Sequence, residues 1–261
     1  MRRFFIPVSS WEGAKARLDA DQCRHIARVL RMGTGDMIEV FDGESNYEAR
    51  LLNVGKKGGF CEILKQTGEK PAKKARFILA PALIKAKRMD MVIEKATELG
   101  VDRIAPFVSE RSVPKPAPER RRHWRKIAES AAAQSGRPDL PIIDEPVDFK
   151  RILAIEADLK LLLCPCKGVA PYAPTVHWEG EKHNKINNML SNWLKTRGLS
   201  PLSDAGLPSV ILLVGPEGGF TAEEVLLAQK SGFIPSSLAP LTLRAETASI
   251  AGLSILVNTL L

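Results

Sequence analysis

Apolar and polar positions alternate in short blocks over the first part of the chain. From residue 76 the rhythm changes to apolar runs separated by stretches with helical spacing. The opening Met1-Arg-Arg-Phe-Phe-Ile-Pro reads as a first strand, its apolar part being too short for a signal peptide. Met37–Phe41 and Tyr47–Val54 flank the turn Asp42-Gly-Glu-Ser and predict a hairpin. Gly59–Leu64 predicts a further strand after Lys56-Lys-Gly-Gly. Between the first strand and the hairpin, Asp21–Met32 is predicted helical and carries Arg24, His25, Arg28 and Arg31. Glu69-Lys-Pro-Ala-Lys-Lys74 has linker composition, so residues 1–70 are expected to form a small β-rich unit.

Beyond the linker, Phe77–Pro81 and Ile104–Val108 predict strands. Lys87–Leu99 predicts a helix with Met89, Val92, Ile93, Ala96 and Leu99 on one face, stopped by Gly100. Glu119–Ser135 predicts another, with Trp124, Ile127, Ala128, Ala131 and Ala132 on its apolar face and Arg120, Arg121, Arg122 and Arg125 at its start. Strands follow near Ile142, Leu159–Cys164, Val210–Val214 and Ile234–Leu238, and helices near Phe149–Ile155, Ala222–Ser231 and Ala245–Leu260. Such alternation predicts an α/β fold with a mostly parallel sheet covered on both faces. Residues 167–208 interrupt it. They are too many for an ordinary connection and are polar, so they read as a surface insertion with Asn184–Thr196 as a candidate helix.

Composition adds limits. The 261 residues are 44% hydrophobic and 26% charged, ordinary for a globular protein, with no apolar run long enough to span a bilayer. Cys23, Cys61, Cys164 and Cys166 lack paired metal-ligand spacing, so reduced thiols in a cytoplasmic protein are expected. A metal site joining Cys164 and Cys166 to His177 and His183 is the weaker reading, and no metal is expected. The net charge of +8 lies upstream: residues 1–74 and 75–145 each carry 14 Lys and Arg against 10 Asp and Glu, whereas residues 146–261 carry 10 of each. A basic surface joined to a neutral half suits a polyanionic substrate and an uncharged or zwitterionic cofactor.

The candidate small-molecule site lies in that neutral half. Ser209–Val214 runs into Gly215-Pro-Glu-Gly-Gly-Phe-Thr221, and Leu238-Ala-Pro-Leu-Thr-Leu-Arg-Ala-Glu-Thr-Ala248 runs into the last helix. Ligands of open α/β sheets bind at such strand ends. Thr221 and Glu224 predict a capping box that occupies the helix N–H donors, and Glu223 and Glu224 place two acids in the first turn. A phosphate is disfavoured there, and the chain has neither a P-loop nor a dinucleotide fingerprint.

In order and spacing, His25-Ile-Ala-Arg-Val-Leu-Arg-Met32, Phe41-Asp-Gly43, Glu94-Lys-Ala-Thr-Glu-Leu-Gly-Val101, Ser109-Glu-Arg111, Lys126-Ile-Ala128, Gln134-Ser-Gly-Arg137, Gly215-Pro-Glu-Gly-Gly219 and Leu243-Arg-Ala-Glu-Thr-Ala248 match a known family. The chain resembles the bacterial small-subunit (16S) ribosomal RNA (uracil-N3) methyltransferases, of the SPOUT class that uses S-adenosyl-L-methionine. The resemblance implies a PUA-like RNA-binding β-barrel over residues 1–72. It further implies a SPOUT domain over 75–261 with a deep trefoil knot, and a homodimer formed through that domain. The apolar Ala245–Leu261 segment is consistent with burial on every side. Two departures stand out. Ala239-Pro-Leu241 replaces the family's usual Gly-Pro-Arg, and the 167–208 segment is longer than expected.

The resemblance also implies site roles. Leu163 and Cys164, the run Leu213, Val214, Gly215, Glu217, Gly218 and Gly219, and Leu238, Leu243 and Ala248 would hold the cofactor. Arg244 would polarise the uracil or hold its phosphate, unless it caps a loop carbonyl. Glu246 would orient Arg244 or favour the helix N-terminus, and Arg137 would contact RNA near the site or form a structural ion pair. Arg28, Arg31, Lys85 and Arg111 would bind RNA, in ribosomal RNA or the small ribosomal subunit, with no membrane partner. Two alternatives stay open: a non-catalytic ribosome assembly factor of the same fold, and a SPOUT methyltransferase for another RNA nucleotide.

Overall fold

The computed structural model describes residues 2–70, 72–112, 119–164, 190, 207–238 and 241–260. Within these, the chain divides into two units, one of residues 1–72 with 128–140 and the other of residues 73–127 with 141–261.

The first unit is built on β1 (Arg3–Phe5), β2 (Trp11–Glu12), β3 (Lys15–Leu18), β4 (Met37–Phe41), β5 (Ser45–Gly55) and β6 (Gly58–Glu69). They form one sheet in the order β1-β4-β5-β6-β3-β2, antiparallel except for the β1–β4 pair. Alternation puts Ala16, Leu18, Ile38, Val40, Ala49, Leu51 and Cys61 into a shared core. Three register shifts between β5 and β6 bend that long hairpin. The predicted Asp42 turn is present, Asp42 Oδ1 accepting from the Glu44 and Ser45 N–H groups at 2.8 and 2.9 Å. The strand predicted at Gly59–Leu64 runs on to Glu69, because Glu69 still pairs with Ser45.

The single helix predicted over Asp21–Met32 is instead a short α1 (Ala20–Arg24) continued by a π-helical turn, His25–Val29. Asp19 and Gln22 form a capping box at its start. At its end Arg31 takes φ 54°, and the Met32 N–H then reaches the Ile26 carbonyl at 3.0 Å. The wide turn buries Ile26 and Met32 together and leaves Arg24, His25, Arg28 and Arg31 exposed.

In the second unit β7 (Arg76–Pro81), β8 (Arg103–Ile104), β10 (Ile142–Ile143), β12 (Leu159–Leu163), β13 (Ser209–Val214) and β14 (Ile234–Ser236) make a six-stranded sheet. Its order is β10-β8-β7-β13-β12-β14 and every pair is parallel. The predicted Ile104–Val108 strand is split by Ala105-Pro106. β9 (Phe107–Val108) pairs separately with β11 (Val147–Asp148).

The helices are α2 (Ala86–Glu98), α3 (Arg120–Ser135), α4 (Phe149–Leu153), α5 (Ala222–Lys230) and α6 (Ala245–Leu260). α2 buries the predicted face of Met89, Val92, Ile93 and Ala96, and α3 buries Trp124, Ala128, Ala131 and Ala132. α6 packs so closely on the sheet that a Cβ at Gly252 would lie 2.8 Å from Leu212 Cδ2 and 3.0 Å from Leu163 Cδ1. Among the described residues no helix is long and apolar enough to cross a membrane. Most of the 167–208 segment, including the Asn184–Thr196 helix apart from Leu190, lies outside the described residues, as do Cys166, His177, His183 and Ala239-Pro240.

Candidate active site

Three neighbouring parallel strands end side by side. Leu163 of β12 pairs with Val214 of β13 on one flank and with Ser236 of β14 on the other. The backbone therefore delivers Leu163-Cys164, Leu213-Val214-Gly215 and Ser236–Leu238 to one edge of the sheet. The Cys164 N–H extends the ladder by one bond, to the Ser236 carbonyl at 3.0 Å. α6 lies against the same edge, with Leu238 Cδ1 3.7 Å from the position a Gly252 Cβ would take.

The loop after β13 turns sharply. The Gly219 N–H donates to the Pro216 carbonyl at 2.9 Å, and Gly219 has φ 69°, a conformation that favours glycine. Gly215 lies under the Phe220 ring, where an added Cβ would be only 2.9 Å from a ring carbon. Phe220 is itself fixed by Phe107 and Phe149 at centroid distances of 6.3 and 5.9 Å. The expected capping box forms between Thr221 and Glu224. The buried Glu224 carboxylate also accepts from Ser109 Oγ at 3.2 Å and the Glu110 N–H at 2.9 Å, tying the 109–111 turn to the loop.

Two arginines complete the frame. Arg111 Nη1 donates to the Gly218 carbonyl at 3.0 Å. Arg88 on α2 reaches Glu217 Oε1 at 3.1 Å and Glu246 Oε1 at 3.6 Å, linking the glycine loop to the first turn of α6. No local pattern in the sequence marks Arg88, because both its partners lie more than a hundred positions downstream. Arg111, expected to contact RNA, holds the loop with one of its nitrogens and remains exposed.

Glu246 is buried and pairs with Arg88, not with Arg244. The Arg244 side chain is exposed and has no hydrogen-bond or ion-pair partner among the described residues, so the capping alternative gains no contact there. Its carbonyl accepts from the Ala248 N–H at 2.8 Å as α6 begins, and Leu243 is half-buried just before it. Lys85 occupies the N-cap position of α2 with its side chain exposed.

Arg137 belongs to the first unit. Its Nε donates to Asp139 Oδ1 at 3.0 Å, both side chains are 9% exposed, and Lys70 approaches Asp139 at 3.1 Å. The Arg137 carbonyl accepts from Arg3 Nη2 at 3.0 Å. This is the structural ion pair that was the alternative to an RNA contact.

The family described as RNA methyltransferase domain matches residues 71–257, and the RNA methyltransferase PUA domain matches residues 18–64. The chain belongs to the RNA methyltransferase family. Its relatives include the ribosomal RNA small subunit methyltransferase E of Bacillus subtilis, 29% identical over 97% of this chain and 95% of that protein. The protein of the same name from Synechocystis is 31% identical over 92% of this chain and 72% of its own length. A crystal structure of ribosomal RNA small subunit methyltransferase E from Neisseria gonorrhoeae, bound to S-adenosyl methionine, superposes with a TM-score of 0.76 at 27% identity. It covers 97% of this chain and 95% of that one. The fold is thus the SPOUT methyltransferase α/β fold with an N-terminal PUA-like domain.

Proposed function

We propose that this methyltransferase uses S-adenosyl-L-methionine to methylate N3 of a uridine in small-subunit ribosomal RNA. The observation that carries the reading is the site edge itself: three strand ends, a glycine loop pinned by Arg88 and Arg111, and an exposed Arg244 at the start of α6 whose side chain has no partner among the described residues. The capping box engages the Thr221 and Glu224 N–H groups at the start of α5, and Glu223 and Glu224 place two acids there, so the loop suits a cofactor without phosphate. Glu217 and Glu246 share one guanidinium, which favours a ligand with a cationic centre.

The backbone of Leu163-Cys164, Leu213–Gly219, Leu238 and Leu243, with Ala248 in the first turn of α6, would hold this cofactor. When bound, it supplies an electrophilic methyl group. Uracil N3 gains that methyl and loses its proton, so negative charge grows on the base as the proton leaves. Arg244, with its guanidinium free to turn toward a substrate, stabilises that charge. Arg28, Arg31 and Lys85 offer exposed cations to RNA phosphates.

As in the family it belongs to, the C-terminal domain is expected to be knotted and to pair with a second copy, and the protein to work in the cytoplasm. Calorimetry with S-adenosyl-L-methionine, followed by mass mapping of small-subunit RNA from a deletion strain, tests the proposal. Binding, together with one missing methyl on a uridine base, is the expected result. Absence of binding at millimolar cofactor would leave a non-catalytic RNA binder, and a missing methyl on another base would reassign the substrate.

A further inference from the structure

Arg88 stands in the first turn of α2, its N–H donating to the Lys85 carbonyl at 2.9 Å. Its guanidinium is divided between two carboxylates on different segments: Glu217, in the loop after β13, and Glu246, in the first turn of α6. A planar fork can span two acids in this way, whereas an ammonium acts as a single point charge. Neither acid has another cation within ion-pair distance among the described residues. The cluster therefore carries formal charges of two acids and one base, leaving one negative charge over. The Glu246 side chain is 10% exposed and its Oε2 has no hydrogen-bond partner among the described residues. Charge on that oxygen is therefore not spread onto nearby donors. A buried polar atom left this way costs free energy and calls for a reason.

We propose that Arg88 is a positioning residue that joins the glycine loop to the last helix, and that the surplus negative charge of the Glu217–Arg88–Glu246 cluster makes the site prefer a sulfonium ligand over its neutral thioether. The inference rests on the methyl-transfer reading and deepens it. Methyl transfer turns the cationic cofactor into neutral S-adenosylhomocysteine. A site with one unpaired negative charge grips the first and releases the second, so product leaves before it inhibits. The preference acts through charge and the loop geometry through the fork, and the two are separable.

The experiment measures dissociation constants of S-adenosylmethionine and S-adenosylhomocysteine on the purified full chain by calorimetry, at low salt. Glu217→Gln removes the surplus charge and is expected to lower the preference for the sulfonium by roughly fivefold, the effect of one charge across a partly solvated gap. Arg88→Met leaves two unpaired acids. It is expected to weaken both ligands by loosening the loop, while raising the preference for the sulfonium by a similar factor. Arg88→Lys keeps the charge without the span, so both ligands should weaken with their ratio unchanged. Glu217→Gln, which changes the ratio without touching Arg88, carries the test if Arg88→Met fails to fold. A merely structural Arg88 would move both ligands in parallel in every variant, and that result overturns the proposal. Wild-type protein that binds neither ligand would instead overturn the methyl-transfer reading.

Discussion

At Gly218 there is room for a hydrogen and for little else. An added Cβ would lie 3.2 Å from the Arg111 Cβ, beneath the side chain that donates to the Gly218 carbonyl. Gly218→Val should push Arg111 off the loop and weaken S-adenosylmethionine binding at least tenfold in calorimetry, with little change in melting temperature. Arg244→Ala should do the opposite. It is expected to lower turnover on the order of 10²-fold while leaving cofactor affinity nearly intact, the signature of an interaction made chiefly in the transition state. Wild-type-like turnover in single-turnover assays would remove Arg244 from the mechanism.

The glycine loop and its Thr221–Glu224 cap were legible because each is a local pattern, set by neighbours within a few positions. The clamp was not: Arg88 and Glu217 are 129 positions apart and Arg111 and Gly218 are 107 apart. Only the parallel strand order brings them together. Arg137 illustrates the reverse difficulty. Its motif was plain, but the nearby acid that engages its side chain, Asp139, is equally plain only once burial is known.

Helices and strands were read well where one face is apolar and poorly where backbone geometry departs from the regular. α2 and α6 lie within a residue or so of their expected bounds. The π-helical turn at His25–Val29 has the sequence pattern of ordinary helix because its side chains keep helical spacing while its hydrogen bonds widen. β14 stops at Ser236, two residues short of expectation, since only Ile234–Ser236 find partners on β12. Packing of α6 makes a prediction at this scale. Gly252→Val would drive two methyl groups into Leu212 and Leu163, both buried, and should cost about 1–3 kcal/mol in urea unfolding of the full chain. Thr221→Ala, which removes the N-cap oxygen of α5, should cost about 1 kcal/mol.

For the molecule as a whole, the uneven placement of charge and the buried thiols of the first unit have measurable consequences. RNA affinity should fall steeply with salt, and removing Arg28 and Arg31 together should lower the slope of log K against log salt by roughly 1 for each phosphate that is no longer neutralised. An unchanged slope in filter binding would move the RNA surface to the basic start of α3. Burial pushes the Cys61 thiol up to about 11, backbone hydrogen bonding only partly opposing it, and raises Cys23 and Tyr47 in the same direction. A group whose folded value is raised gives its full stability below its unfolded value and loses it as pH climbs toward the folded one. The first unit should therefore weaken between about pH 9 and 11. Cys61→Ala should flatten that decline in melting curves taken across the same range.

The return of residues 128–140 to the first unit has a consequence for how such proteins can be recombined. Arg3 of β1 donates to the carbonyls of Ala132 and Arg137, and Lys70 at the end of β6 pairs with Asp139, so the unit closes on a stretch encoded some sixty residues after its apparent end. The chain passes from one unit to the other three times, near residues 72, 127 and 140. No single crossover in a gene can then exchange the first unit for that of a relative. A functional chimaera must carry two separated segments together, and breakpoints placed only at the linker should yield hybrids with severed ion pairs and little soluble product.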